Sequence, residues 1–207
     1  MNNTLVLGLR ATAVTLVLTG LVYPLAVWGV AQAAFPRQAN GSIVTGESGT
    51  AVGSDLIGQG FSNPAYVQSR PSAAGTAKDG HDLEFTVSGG SNLGPTSKKL
   101  RGQAAALAES LRKDNPNARG PVPAELVTAS ASGLDPHLSP ATVEWQVPRV
   151  AAARGVSEER VRAVVTGLVE GRDLGFLGEP RVNVLALNLA LDRHFGRATG
   201  SGSMPPK

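Results

Sequence analysis

The sequence contains no cysteine, which excludes disulfide bonds, thiolate metal sites and a thiol nucleophile. Histidine is nearly as scarce, and His81, His137 and His194 lie far apart, without the spacing typical of a metal site. We therefore predict no metal centre. Aromatic residues make up only 4% of the chain, which predicts a core built mainly from valine, leucine and alanine.

A strong charge of one sign is also lacking. The formal net charge is +3, and lysine and arginine form no long run. Nucleic-acid binding depends on dense clusters of basic side chains that neutralise phosphates. The sequence therefore predicts no nucleic-acid partner.

What the sequence does have is one long apolar stretch, residues 11–34, without an acidic or basic side chain. As a helix it reaches about 36 Å, enough to cross a hydrocarbon core about 30 Å thick. Pro24 predicts a kink in this helix. We predict a membrane anchor at residues 1–35 embedded in the lipid bilayer, a soluble domain at 36–196 and a disordered tail at 197–207.

A cleaved signal peptide is the main alternative, because Ala31, Gln32 and Ala33 have the small-x-small form of a cleavage site. The apolar run is longer than the roughly 7–15 residues of a signal h-region, which favours a retained anchor. A buried core helix is a weaker alternative, since the stretch lacks the polar face of a soluble helix.

One face of the span differs from the rest, with Thr12, Thr15, Thr19 and Tyr23 at helical spacing and Gly20 beside them. Small and hydroxylated residues allow close contact and hydrogen bonding between membrane helices, so this threonine face is a candidate partner surface. The alternative is that each threonine bonds to a carbonyl one turn earlier. Arg10 and the amino terminus outnumber Arg37, a slight preference for a cytoplasmic N-terminus.

The rest of the chain predicts an α+β fold, a single compact domain of short strands and several helices. Brief strands are predicted at residues 42–45, 55–57, 65–69 and 126–129. Helices are predicted around residues 100–111, from Pro140 to Gly155 with a bend or break at Pro148, from Ser157 onward, and at 182–191.

A glycine-rich loop at residues 88–96 precedes the first of these helices. Free backbone N–H groups and the positive end of a helix dipole can bind an anion or a phosphate. The loop lacks the Walker lysine pattern, so a tight turn that uses glycine for its backbone freedom is the favoured interpretation.

Ser132, Asp135 and His137 lie close together on a proline-rich loop, which raises the hypothesis of a membrane-anchored extracytoplasmic hydrolase. The sequence has no G-x-S-x-G elbow, and neighbours on one loop rarely point at a common atom. Asp135 and Ser139 are better explained as turn and helix N-cap residues.

Seven segments in order resemble the C chain of bacterial Kdp-type potassium-transporting ATPases. They are Gly-Gln-Gly-Phe at 58–61, Arg-Pro-Ser-Ala at 70–73, the glycine-rich loop at 88–96, Val-Pro with Leu-Val-Thr-Ala-Ser at 122–130, the loop at 132–140, Gln-Val-Pro-Arg-Val-Ala at 146–151, and Val-Asn-Val-Leu-Ala-Leu-Asn at 182–188. The span also lies in the expected place, so the resemblance covers nearly the whole chain.

This resemblance implies a non-catalytic accessory subunit of an ATP-driven potassium uptake complex in the cytoplasmic membrane. Its partners would be a channel-like potassium-translocating subunit and a P-type ATPase subunit, whose affinity for ATP it would raise. Ser88, Gly89, Gly90, Ser91 and Asn92 would then be the candidate nucleotide-binding residues. The family's topology places the soluble domain outside the membrane, away from cytoplasmic ATP, and this favours a domain that caps the channel subunit's outer mouth.

Overall fold

The computed structural model describes residues 2–46, 49–72 and 88–198. The chain divides into two compact units, Met1–Ile43 and Val44–Lys207. The described residues contain several helices and a few short strands, which confirms the predicted α+β class. The predicted tail falls almost entirely on residues 199–207, and His81 falls on 73–87, so both lie outside the described residues.

The N-terminal unit is one long helix followed by a short one. Helix α1 spans Asn2–Val17, a π-helical turn spans Leu18–Val22, and α2 spans Tyr23–Ala34; α3 follows at Pro36–Ala39. Residues Asn3–Ala34 form a 32-residue helix with a mean hydropathy of 2.0, long and apolar enough to cross a membrane. The helix therefore begins well before the predicted residue 11.

The π-helical turn lies directly before Pro24. Proline has no N–H to donate, and its ring clashes with the carbonyl four residues earlier, here that of Gly20. The wider turn makes room for the ring, and the Tyr23 N–H donates to Leu18 O, five residues back. The helix thus accommodates the proline through a π-turn, one of the recognised sources of helix distortion.

The second unit contains four α-helices in its described residues. Helix α4 spans Lys98–Asp114, α5 spans Pro140–Arg154, α6 spans Glu158–Thr166 and α7 spans Val184–Phe195. The core lies where α5, α6 and α7 pack together, with Val143, Val147 and Val150 of α5 fully buried. Two small sheets complete the unit: β1 (Ile43–Thr45) pairs with β2 (Ala51–Ser54), and β3 (His137–Leu138) pairs antiparallel with β4 (Val182–Asn183).

Local sequence signals set the ends of these helices. The Ser139 side chain accepts the Thr142 N–H at the start of α5, and Gly155 ends α5 in the left-handed region at φ 64°. Helix α5 continues through Pro148, so of the predicted bend or break the break is wrong, and the bend stays a prediction. Asn183 caps α7, which confirms the helix predicted at residues 182–191, a stretch that mixes strand-like alternation of apolar residues with helical spacing.

Three of the predicted short strands are wrong. Residues 55–57 form a turn after β2, because Ser54 accepts the N–H groups of both Leu56 and Ile57. The segment predicted at 126–129 contains the end of a 3₁₀ turn, Ala124–Leu126, and the Thr128 hydroxyl donates to the Ala124 carbonyl. Residues 65–69 are irregular because their backbone bonds to helix side chains, as described below.

Candidate functional site

Residues 130–137, hereafter the central loop, form the point at which the sequence motifs meet. Three separate segments bond to it: the Gly58 N–H donates to Leu134 O at 2.8 Å, and the Gly89 N–H donates to Ser132 O at 2.8 Å. Arg70 Nη1 forms an ion pair with Asp135 Oδ2 at 2.8 Å. Segments distant in sequence thus come together through one loop.

The central loop is shaped by its own short polar side chains. Asp135 Oδ1 accepts the His137 N–H at 3.0 Å, and Ser132 Oγ accepts the Leu134 N–H at 3.1 Å. Gly133 is buried and has a φ of 69°. The Val184 N–H donates to Pro136 O at 2.9 Å and ties the loop to the start of α7. The predicted turn role of Asp135 is confirmed.

Two glycines let other backbone segments approach this loop closely. A Cβ on Gly58 would lie 2.7 Å from Asp135 O, and one on Gly90 would lie 3.0 Å from Ala131 O. Both neighbours are backbone atoms, which cannot move aside as a flexible side chain can. Gly58 and Gly90 therefore have a packing role in the described structure.

The glycine-rich loop rests on the central loop at one end only. Ser88 Oγ donates to Ser132 O at 3.0 Å, next to the Gly89 contact. Ser91 and Asn92 are exposed, and Asn92 has a φ of 52°. Helix α4 begins several residues later, where the Ser97 side chain accepts the Leu100 N–H. The segment Ser88–Asn92 is thus separate from the helix N-terminus, and nucleotide binding there stays a prediction.

The three residues of the hydrolase hypothesis do not form a catalytic set. Asp135 is engaged by Arg70, and His137 Nδ1 lies 3.8 Å from Asp135 Oδ1. Ser132 Oγ accepts a backbone N–H and lies 3.4 Å from Ser130 Oγ. No hydrogen bond joins Ser132 to His137 within the described residues, so the hydrolase hypothesis has no support. The same residues contain no group of three potential metal ligands.

A second structured feature, hereafter the clamped segment, comprises residues 64–68. Asn188 of α7 accepts the Val67 N–H at 2.8 Å and donates to Val67 O at 2.9 Å. Gln146 of α5 does the same for Gln68, at 2.9 and 3.1 Å. Each side-chain amide therefore makes the pair of bonds that a neighbouring strand would make, which explains why this strand-like sequence forms no sheet.

Arg149 of α5 also binds the clamped segment, and this arginine is only 8% exposed. Its Nη1 donates to Pro64 O at 2.6 Å and Tyr66 O at 3.0 Å, while Nε donates to Asn115 Oδ1 and Nη2 to Gln146 Oε1, both at 2.8 Å. Burial lowers the pKa of Arg149 to about 10, still well above neutrality, so the guanidinium stays charged. The arginine joins the end of α4 to α5 and the clamped segment.

Arg154 also binds the clamped segment, near its N-terminal end. The side chains of Gln146, Arg149, Arg154 and Asn188 together are called the clamp. The Nε of Arg154 donates to Ala65 O at 2.7 Å, its Nη2 pairs with Asp192 Oδ1 at 2.8 Å, and its guanidinium carbon lies 5.1 Å from the Tyr66 ring centroid. The Tyr66 hydroxyl donates to Asp192 Oδ2 at 2.8 Å. Burial and this hydrogen bond raise the pKa of Tyr66.

Sequence reasoning missed the clamp, although a signal was present. Gln146 and Arg149 lie one turn apart on an otherwise valine-rich helix, and Asn188 interrupts an apolar helix. Polar residues on a buried face require partners, and this requirement points to an internal network. The partners themselves lie more than 75 residues away along the chain for both Gln146 and Asn188.

On the threonine face the structure supplies one contact. Thr19 Oγ1 donates to Thr15 O at 2.8 Å, the backbone bond of the alternative interpretation. Thr12 and Tyr23 are exposed, and a Cβ on Gly20 would have open space around it. A partner role for this face stays a prediction.

These features define a class: within its described residues the chain has one helix long and apolar enough to span a membrane, and a small α+β unit in which several motif residues serve packing. The profile of the family described as KdpC: K+-transporting ATPase, c chain, matches residues 5–193. The protein named potassium-transporting ATPase KdpC subunit of Myxococcus xanthus is 63% identical over 196 residues, 95% of this chain and 90% of that protein. The chain belongs to the KdpC family.

Two further relatives with the same printed name agree. The Rhodospirillum rubrum protein is 52% identical over 94% of this chain and 98% of its own length. The Koribacter versatilis protein is 51% identical over 93% of this chain and 95% of its own length. The matches extend over both units of the structure.

Proposed function

We propose that this chain is a non-catalytic accessory subunit of a potassium-transporting ATPase complex, held in the membrane by its N-terminal helix. One observation carries the proposal: Arg70, Asp135, Gln146, Arg149 and Asn188, the principal polar side chains at the central loop and the clamped segment, bind one another or the backbone. Such an arrangement builds a rigid docking module, and ATP hydrolysis belongs to another chain of the complex.

The partners we propose are a channel-like potassium-translocating subunit and a P-type ATPase subunit. Family resemblance supplies both, together with an effect on the ATP affinity of the ATPase subunit. ATP is then the cofactor of the partner, and this subunit acts on it indirectly. The threonine face (Thr12, Thr15, Thr19, Gly20 and Tyr23) contacts a partner helix within the bilayer, since close approach needs small and hydroxylated residues.

We further propose that the N-terminus is cytoplasmic and that the second unit lies outside the cytoplasmic membrane. The basic residues near the span favour this orientation. An outside domain cannot reach cytoplasmic ATP, so a cap over the outer mouth of the channel subunit is its preferred role. Direct nucleotide contact by Ser88, Gly89, Gly90, Ser91 and Asn92 is the second candidate, favoured only by the exposure of Ser91 and Asn92.

Cysteine labelling tests the orientation, because the natural chain has no cysteine. A Ser91→Cys variant, exposed in the glycine-rich loop, is expected to react with a membrane-impermeant maleimide in intact cells as fully as in lysed cells. Ser110→Cys, exposed on α4, is the matched control for accessibility. If both sites react only after lysis, the domain is cytoplasmic and direct nucleotide contact becomes the leading mechanism.

Removal of the second unit tests the role. A tagged chain ending at Ile43, where the two units divide, is expected to lose potassium uptake from low-potassium medium down to the level of cells without the subunit. Immunoblotting against the tag controls for the amount of truncated chain in the membrane. Unchanged co-purification of the other subunits together with unchanged uptake would overturn the proposal.

A further inference from the structure

Arg10 lies within the N-terminal helix, with apolar side chains on both sides of it along the chain. Leu5, Leu7 and Leu9 precede it and are 67%, 69% and 62% exposed, and residues 11–31 follow it without an acidic or basic side chain. A charged side chain in a membrane segment is costly unless a partner or a polar surface compensates its charge. Arg10 therefore needs an anionic partner.

The unit that contains Arg10 has no acid to offer it. Residues 1–43 contain no aspartate or glutamate, and the first acidic residue in the sequence is Glu47. The carbonyl oxygens of the helix accept the N–H groups of the following turn, so they do not take the place of an acid. In the proposed topology the bilayer also separates Arg10 from the second unit. The partner is thus an anion that another molecule supplies.

The length of the helix places Arg10 near the level of the lipid phosphates. Asn40 Nδ2 donates to Gln32 Oε1 at 3.1 Å, and this pair of polar amides marks the other edge of the hydrocarbon core. Counted back from there, residues 12–31 span about 30 Å, the thickness of that core. The Arg10 side chain then starts just outside the core and points toward the helix N-terminus, away from the core. If the helix tilts to bury the preceding leucines as well, the long side chain still reaches the headgroups.

Arg10 lies on the face of the helix opposite the threonine face. At about 100° per residue it is about 160° from Thr12 and about 140° from Thr15 around the helix axis. Val14 and Val17, one and two turns further along, share the face of Arg10 and are 57% and 48% exposed. A partner helix on the threonine face therefore does not meet Arg10, and the face of Arg10 is left to lipid.

We propose that Arg10 binds the phosphate of an anionic phospholipid whose acyl chain lies along Val14 and Val17. The inference rests on the proposed function, which supplies the membrane and the partner on the threonine face, and it deepens that function by naming the ligand of the opposite face. A guanidinium matches a phosphate through two parallel N–H bonds. A cytoplasmic N-terminus puts the site in the inner leaflet, whose anionic lipids attract basic side chains.

Native mass spectrometry of the full chain in mild detergent tests the site. With equal amounts of phosphatidylglycerol and phosphatidylcholine added, the natural chain is expected to retain phosphatidylglycerol in preference. Arg10→Gln is expected to lower that preference by about fivefold. Arg37→Gln, which removes the other arginine of residues 1–43, is the matched control and is expected to keep the preference. Circular dichroism checks that each variant keeps its helix content.

Three results of that experiment would overturn the inference. One is an unchanged preference in Arg10→Gln, and another is an equal loss in Arg10→Gln and Arg37→Gln, which would indicate net charge alone. The third concerns inorganic phosphate, which is expected to leave the bound lipid in place when added at the same concentration as the lipid. Displacement of the lipid would show that Arg10 binds a free anion equally well.

Photo-crosslinking in the assembled complex provides the second measurement. A benzoyl-phenylalanine placed at Val14 is expected to crosslink to lipid, and the same probe at Thr15 is expected to crosslink to another chain of the complex. A protein crosslink from Val14 would overturn the inference. Lipid crosslinks from both positions would instead contradict the partner role of the threonine face, which separates a failure of the proposed function from a failure of the lipid site.

Discussion

Replacing Arg149 by methionine is expected to lower the free energy of unfolding by about 2–5 kcal/mol. Methionine has a similar length but no donor, so the carbonyl oxygens of Pro64 and Tyr66 and the Asn115 side-chain oxygen lose the guanidinium. Each buried acceptor left without a partner costs about 1–3 kcal/mol. Methionine regains part of that loss because it escapes the desolvation that lowers the pKa of Arg149.

Tryptophan fluorescence is the measurement. Trp145 lies in the core at 5% exposure, and Trp28, the other tryptophan, lies in the N-terminal helix. A Trp28→Phe background therefore reports on the second unit alone, with the full chain in mild detergent and urea as denaturant. Arg193→Met on the exposed face of α7 is the control and is expected to change stability by less than about 0.5 kcal/mol.

Equal stability of Arg149→Met and Arg193→Met would show that the clamped segment is held without the buried guanidinium. An Arg149→Lys variant should fall close to Arg149→Met, because a single ammonium cannot reach oxygens on three sides of the planar group.

The helices could be predicted from the sequence because their signals are local. Ser139 and Gly155 mark the two ends of α5, Asn115 and Pro116 follow the end of α4, and an apolar period runs through each helix. The N-terminal helix could be predicted as well, since its apolar composition alone indicates a membrane environment. These elements depend on contacts within four residues, and such contacts are visible in a sequence.

The clamped segment could not be predicted because its backbone partners are side chains from distant helices. Tyr66 and Val67 have the β-propensity of a strand, and a strand was therefore expected at residues 65–69. Asn188 and Gln146 compete successfully for the same N–H and carbonyl groups. These tertiary contacts outweigh the local strand propensity of residues 65–69. No periodic pattern in the sequence indicates such contacts.

The central loop shows the same division between local and distant information. The turn at Asp135 followed from the residue before a proline, whereas the meeting of Gly58, Arg70 and Gly89 on that loop is a property of the fold. A sequence hypothesis of catalysis arose from three polar neighbours, and the structure assigns those polar atoms to turns and to an ion pair.

Asn188→Asp is expected to give a destabilisation that depends strongly on pH, about 4 kcal/mol at pH 8 and about 1 kcal/mol at pH 4.5. The carboxylate keeps an acceptor for the Val67 N–H, but its second oxygen faces Val67 O, to which the amide donated. Asn188 is fully buried, so an aspartate there is expected to have a pKa raised by roughly three units from its ordinary value near 3.9.

The stability of Asn188→Asp falls as the pH rises, because the folded state holds the carboxyl proton more tightly than the unfolded chain does. Between pH 3.9 and the raised pKa of the folded variant, the folded state binds a proton that the unfolded chain releases. The free energy of unfolding therefore falls by about 1.4 kcal/mol for each unit by which the pH rises. Below pH 3.9 both states are protonated, and the carboxyl O–H can donate to Val67 O as the amide does in the natural chain.

The measured quantity is the difference in unfolding free energy from the natural chain at each pH, which removes the titration of other groups. Asn117→Asp, exposed after α4, is the matched control and should track the natural chain. A pH-independent deficit in Asn188→Asp would mean that the side chain is held by packing and that its amide bonds to Val67 contribute little.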